Sequence, residues 1–385
     1  MNIISKIKDW NHKRLERRNE RKRQKTLSYV SEVSPDAPYV FVSYIPRVFY
    51  LKDPKELLWH QNMREQMVMV KVLNELGYNV YVSDYLDGTV PAGLNCKAVF
   101  GIFPLLDKAM EQYPHALKIY YGTTAYWQHQ ERMTIERTDA FNRKHGAEMP
   151  YERLPEHSDG EQKSDFILQI GSRYTIDTYP EALRSKITLI HQSTTVETLS
   201  LSTPASRRTD YIWFGSSGNV LKGLDLVFDY FISHSSLTLH VVGGPFLEEF
   251  LAAYGSKLTS NIRIHGWMDV WSSEFQSVVS KCAFMVFPSC SEGCPGGVLA
   301  MMKLGVIPIV SPYAAFDGIE HFGYVMSGLD DESMEKGIDW AQSLTAEEKD
   351  RLSEAGSRFV ADTFNLAVYE EELRRYFSGV LPKVK

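Results

Sequence analysis

Cysteine is scarce, with four residues among 385 (Cys96, Cys282, Cys290 and Cys294) and no regular spacing. That excludes a disulfide framework and points to a reducing, cytoplasmic setting. Cys290 and Cys294 frame one loop, but without a neighbouring His they supply too few donors for a zinc site. Long apolar runs are missing too: none approaches the roughly 18 residues of a membrane span. The N-terminus lacks the apolar core and small-residue cleavage site of a secretory signal. No Asp-x-Asp pair stands at a strand end, so no catalytic metal is expected.

What is present is an ordinary globular composition, 44% hydrophobic and 23% charged, long enough for two domains. The net charge of −6 is unevenly spread: residues 1–25 carry ten Lys and Arg against three Asp and Glu, a local +7 that leaves −13 on the remainder. Ile3, Ile4, Ile7 and Trp10 recur near helical spacing ahead of this cationic tract. Residues 1–27 thus read either as a helix lying on an anionic membrane surface or as a solvated basic arm. The acidic remainder offers no continuing basic face, so no nucleic acid partner is expected.

After a linker at 34–38, apolar strands alternate with helices: a strand at 39–44, a helix at 60–76 closed by Gly77, a strand at 78–82, then strand, helix and strand at 98–103, 105–112 and 118–121. Short, unalternating strands between helices argue for a parallel sheet covered on both faces. The segment 131–163 is dense in charge, shows no core pattern and reads as an insertion on the first domain. Strand patterns return at 165–170 and 186–190, and residues 202–208 read as a connector.

Two strand-to-helix turns carry the chemistry. The first, Gly215-Ser216-Ser217-Gly218-Asn219-Val220-Leu221-Lys222-Gly223, sets a glycine-bearing turn before a Lys at the next helix start. That suits a diphosphate, with amides approaching the oxygens and an ammonium offsetting the charge. The second runs from Phe287 through Ser291-Glu292-Gly293 to Pro295-Gly296-Gly297-Val298 and opens a helix, whose first amides and positive dipole end favour an anion. Glu292 is placed to accept hydrogen bonds from sugar hydroxyls. The plain alternatives are a solvated Lys222 at a helix start and a solvated Glu292 at a loop corner.

These two elements, in this order, resemble the donor-site motifs of retaining glycosyltransferases of the GT-B fold, family 4 (glycosyl transferases group 1). Ser291, Glu292, Gly293, Val298, Leu299, Met302, Gly305 and Pro308 fit the C-terminal motif, and Lys222-Gly223 fits the Lys-Gly element. Two positions depart: the family's second Glu falls on Ala300, and its Arg before the Lys falls on Ser216. The resemblance implies an α/β fold of two Rossmann-like domains facing across a cleft. It divides the chain into an arm at 1–30, an acceptor domain at 31–203, a donor domain at 204–362 and a helix at 363–385 returning to the first domain.

It further implies a hexosyl-type enzyme moving a sugar, with retention, from a nucleoside diphosphate sugar to a glycan or lipid-linked acceptor, as in cell-surface polysaccharide synthesis. Gly215, Ser216, Lys222, Gly296, Gly297 and Val298 would hold the donor, with Trp267 and Met268 at the base. Glu292 would orient the sugar, and His129 would stand beside the reacting centre. Trp267 as packing and His129 as a solvated helix residue remain open. The departures at Ala300 and Ser216 leave a second reading, a catalytically degenerate nucleotide-sugar-binding or scaffold protein.

Overall fold

Strands covered on both faces are buried at consecutive positions rather than alternate ones. Val40, Phe41 and Val42, and every residue from 282 to 287, are at most 2% exposed. The structure, a computed structural model, describes residues 27–155 and 157–384. The helix expected in the basic arm falls outside them. Contacts divide the chain into two compact units, one of Gln24–Tyr126, Glu156–Thr195 and Thr363–Lys385, the other including Trp127–Pro155 and Val196–Asp362.

The first unit holds strands Ser28–Ser31 (β1), Tyr39–Tyr44 (β2), Asn79–Asp84 (β3), Cys96–Gly101 (β4), Leu117–Gly122 (β5), Phe166–Ile170 (β6) and Ile187–Ile190 (β7), in the order β1-β3-β2-β4-β5-β6-β7. All pairs are parallel except β1 with β3. Residues 28–30, expected in the arm, instead form most of this antiparallel edge strand, with Val30 opposite Tyr81. Helices Gln61–Glu75 (α1) and Leu105–Gln112 (α2) follow the pattern read from the sequence. The terminal helix Leu366–Val380 lies on α1: Lys71 pairs with Glu370 at 2.7 Å, and Arg374 bonds Glu75. Asn365 caps it, accepting from Val368 N at 2.9 Å.

The second unit is a six-stranded, all-parallel sheet in the order β10-β9-β8-β11-β12-β13. Its strands are Asp210–Ser216 (β8), Leu239–Gly244 (β9), Ile262–Gly266 (β10), Cys282–Phe287 (β11), Ile307–Val310 (β12) and Tyr324–Val325 (β13). Of the charged segment 131–163, expected as an insertion on the first domain, residues up to Pro155 group by contact with this unit, and the rest stays with the first. Residues Trp127–His145 form one helix (α3) that buries Gln130, Met133, Thr134, Thr138 and Phe141 on a single face. Phe141 stacks on Phe250, 5.5 Å between ring centres. Helices Leu224–Ser233 (α4) and Gly296–Lys303 (α5) follow β8 and β11.

In the first unit, Glu161 is 3% exposed and its Oε2 has no hydrogen-bond partner among the described residues. Burial, with the negative charges of Asp107 and Asp159 adding to it, pushes this carboxyl from 4.5 to about 7. The folded chain therefore holds this proton more tightly than the unfolded one, and stability falls as pH rises from about 4.5 to 7, by roughly 3 kcal/mol. Denaturant unfolding across pH 4.5 to 8 should show Glu161→Gln more stable than wild type at pH 8, with a flatter profile. Identical profiles would mean that Glu161 is solvated.

Candidate functional site

Because β8 and β11 are adjacent and parallel, the loops leaving them emerge at the same sheet edge, where open α/β sheets bind ligands. Lys222 N donates to Gly218 O at 2.8 Å, and Leu224 N to Asn219 O at 2.9 Å, fixing the first turn. Gly223 closes it at φ 68°, where a Cβ would stand 2.2 Å from Pro288 O. Only glycine satisfies both the backbone and the close approach. The second loop is stitched to this turn, with Cys290 N donating to Leu221 O at 2.8 Å and Ser289 Oγ to the same oxygen at 3.2 Å.

The result is a buried ion pair. Lys222 Nζ donates to Glu292 Oε1 at 2.6 Å, with side-chain exposures of 7% and 10%. Ser289 Oγ lies 3.0 Å from that oxygen and shares its one hydrogen between it and Leu221 O, and the ammonium lies 5.3 Å from the centre of the Phe287 ring. Burial pushes the Lys222 ammonium below the ordinary lysine range; the Glu292 carboxylate opposes this, and the Arg153 charge adds to it. Burial likewise pushes the Cys290 thiol up to about 12, so it is neutral at physiological pH and no nucleophile. Next to Glu292, Ser291 Oγ is buried and has no hydrogen-bond partner among the described residues.

The other expected residues lie on β8, on α5, after β10 and on α3. Gly215 lies in β8 against Gly243, where a Cβ would meet Gly215 O at 1.7 Å. Ser216 is the exposed last residue of β8. Gly296 and Gly297 open α5, whose first amides have no intrahelical acceptor. Val298 N, by contrast, donates to Pro295 O at 3.0 Å. Ala300 is buried in α5. Trp267, 46% exposed, and Met268 follow β10, two strands from β8 along the same edge.

His129 stands one helical turn before Met133, on the same face of α3. Met133 packs on Leu221 and Cys290, so that face lies on the two loops. Burial and the Arg132 charge lower the His129 pKa, favouring the neutral ring. The same face carries Arg137, which bonds Asp225 in the first turn of α4 at 2.6 Å.

Sequence reasoning did not find residues 149–153. They run back along α3: Asn142 exchanges two hydrogen bonds with Met149, Tyr151 OH donates to Asp139 at 2.8 Å, and Gln130 Nε2 donates to Arg153 O at 2.8 Å. Glu152 thereby reaches the glycine turn, where its carboxylate accepts from Gly218 N at 3.0 Å and Asn219 N at 2.8 Å. No spacing in the sequence signals a contact across 66 residues.

Residues 209–341 match the family model of glycosyl transferases group 1. A comparison with curated protein sequences finds no match. Among solved structures, the chain is similar to sucrose-phosphate synthase from Thermosynechococcus elongatus (TM-score 0.63, 11% identity, 89% of this chain and 99% of that one). It is also similar to Anabaena Alr3699/HepE in complex with UDP-glucose (0.59, 9%, 89% and 100%) and to WaaG, a glycosyltransferase involved in lipopolysaccharide biosynthesis (0.53, 13%, 89% and 100%). The fold is that of GT-B glycosyltransferases, two Rossmann-like domains, as the sequence motifs implied.

Removing one member of a buried ion pair strands the other. Lys222→Met should cost about 3–5 kcal/mol in urea unfolding, and adding Glu292→Gln should recover most of it. A single variant no less stable than the double one would show that Glu292 is hydrated.

Proposed function

We propose that this chain is a retaining glycosyltransferase that moves a hexosyl group from a nucleoside diphosphate sugar to a hydroxyl of a glycan or lipid-linked acceptor, without a metal. The observation that carries the reading is the Lys222–Glu292 pair, held where the loops after β8 and β11 meet, inside the stretch that matches the group 1 model. HepE, of the same fold, is described with UDP and glucose and with UDP-glucose. That makes a uridine donor the first to test. Cell-surface polysaccharide synthesis, on the cytoplasmic face of a membrane that residues 1–27 would touch, is the setting that fits such an acceptor.

Lys222 has three N–H donors, so it can hold Glu292 and a phosphate oxygen together. As the bond to the sugar breaks, charge develops on the diphosphate, where the ammonium and the Gly296 and Gly297 amides stabilise it. Glu292 Oε1 is taken by Lys222 and Ser289, leaving Oε2 to accept from donor-sugar hydroxyls. Holding donor and acceptor together removes much of the entropic barrier to transfer. Displacement from the face of the departing diphosphate would keep the anomeric configuration, with no covalent intermediate on the chain. Ala300 and Ser216, where the motifs have Glu and Arg, favour a second reading, a degenerate protein that binds a nucleotide sugar without cleaving it.

A thermal-shift panel of UDP, GDP, ADP, dTDP and CMP tests the donor site. A ligand at about a hundred times its Kd stabilises the fold by roughly 2.7 kcal/mol. One diphosphate should raise the wild-type Tm and leave that of Lys222→Met/Glu292→Gln unchanged. No shift with any nucleotide would remove the donor reading; a shift with no cleavage of the matching nucleotide sugar, even with acceptors present, would favour the degenerate one.

A further inference from the structure

Two backbone amides side by side, Gly218 N and Asn219 N, form a small anion-binding concavity at the turn that leads to Lys222. The chain itself fills it: the Glu152 carboxylate takes one amide on each oxygen, at 3.0 and 2.8 Å. Burial pushes the Glu152 carboxyl above the usual carboxylate range, against the pull of those two hydrogen bonds and of Arg153, while Glu249 adds a like charge. The next residue brings the second cation of this region. Arg153 is exposed, its charge acts on the Lys222 ammonium, and its Cδ stands 3.0 Å from where a Gly218 Cβ would be.

Arg153 also has φ 60°, a left-handed backbone that a side chain-bearing residue rarely adopts. The hydrogen bond from Gln130 to its carbonyl, and those that tie Met149 and Tyr151 to α3, hold it there. A strained residue restrained on both sides has its direction set by the fold. Here that direction places a guanidinium beside the glycine turn, on the edge where Ser216 supplies no charge.

The geometry points to a strap, Met149–Arg153, that completes the diphosphate site: Glu152 is a resident anion that the donor diphosphate displaces from the Gly218 and Asn219 amides, and Arg153 is the cation that then joins Lys222 on it. This rests on the donor-site reading above and deepens it. Exchanging a carboxylate for a diphosphate keeps both amides bonded. Because Glu152 already satisfies both amides, a neutral or monoanionic sugar derivative has little to offer in its place.

The test is calorimetric titration of UDP, GDP and inorganic pyrophosphate into the full chain and its variants. Glu152→Gln keeps an oxygen for one amide but gives up the competing charge, and it should bind the preferred probe about tenfold more tightly. Arg153→Ala should bind it about tenfold more weakly, as loss of one charge-assisted hydrogen bond implies, with Arg153→Lys between. Because the Arg153 side chain is exposed, its removal should leave urea unfolding unchanged. Binding seen only in Glu152→Gln would support the strap strongly. Equal or weaker binding by Glu152→Gln, while wild type binds and Lys222→Met/Glu292→Gln does not, overturns the strap and leaves the donor site standing. No binding of any probe by wild type or Glu152→Gln overturns both.

Discussion

A lysine and a glutamate taken out of water must face each other, and that requirement organises the second unit. Lys222 and Glu292 are each about nine-tenths buried, and neither would stay charged there alone. Their meeting depends on β8 and β11 being neighbours, on Gly223 passing close to Pro288, and on the hydrogen bonds that tie residues 289 and 290 to Leu221. The pair is weak evidence for stability in itself, since two apolar residues of the same volume could do as well. A charged pair kept at the carboxyl edge of a parallel sheet stands where the proposed donor would use it.

Around this pair the structure adds what the two loops lack. Helix α3 covers them with Met133 and anchors through Arg137 to Asp225, and its return segment brings Glu152 and Arg153 to the glycine turn. The candidate site, with the proposed strap, therefore draws on three stretches of chain. Two of them follow strands of the sheet, and the third is held against α3 by hydrogen bonds that Met149 and Asn142 exchange, that Tyr151 OH donates to Asp139 and that Gln130 Nε2 donates to Arg153 O.

Most of the architecture was legible because parallel strands announce themselves. Residues 39–42, 98–101 and 282–287 are apolar at consecutive positions, and Gly77 closes the helix after the first of them. Strand β1 was not legible: Ser-Tyr-Val-Ser is short and half polar, and only its pairing with β3 makes it a strand. Helix α3 escaped for a different reason. Its buried face has the right period but is filled by Gln130, Thr134 and Thr138 beside Met133 and Phe141, so no apolar stripe shows. Lys222 and Glu292 could be picked out singly from their turns, but their contact across 70 residues, like that of Glu152 with Gly218, is a property of the fold alone.

The most direct measurement is a crystal structure of the chain soaked with the nucleoside diphosphate that binds it. The account predicts a phosphate oxygen within about 3 Å of Lys222 Nζ, with the Gly296 and Gly297 amides directed at the diphosphate. A nucleotide bound elsewhere, with Lys222 still engaged by Glu292 alone, would contradict it.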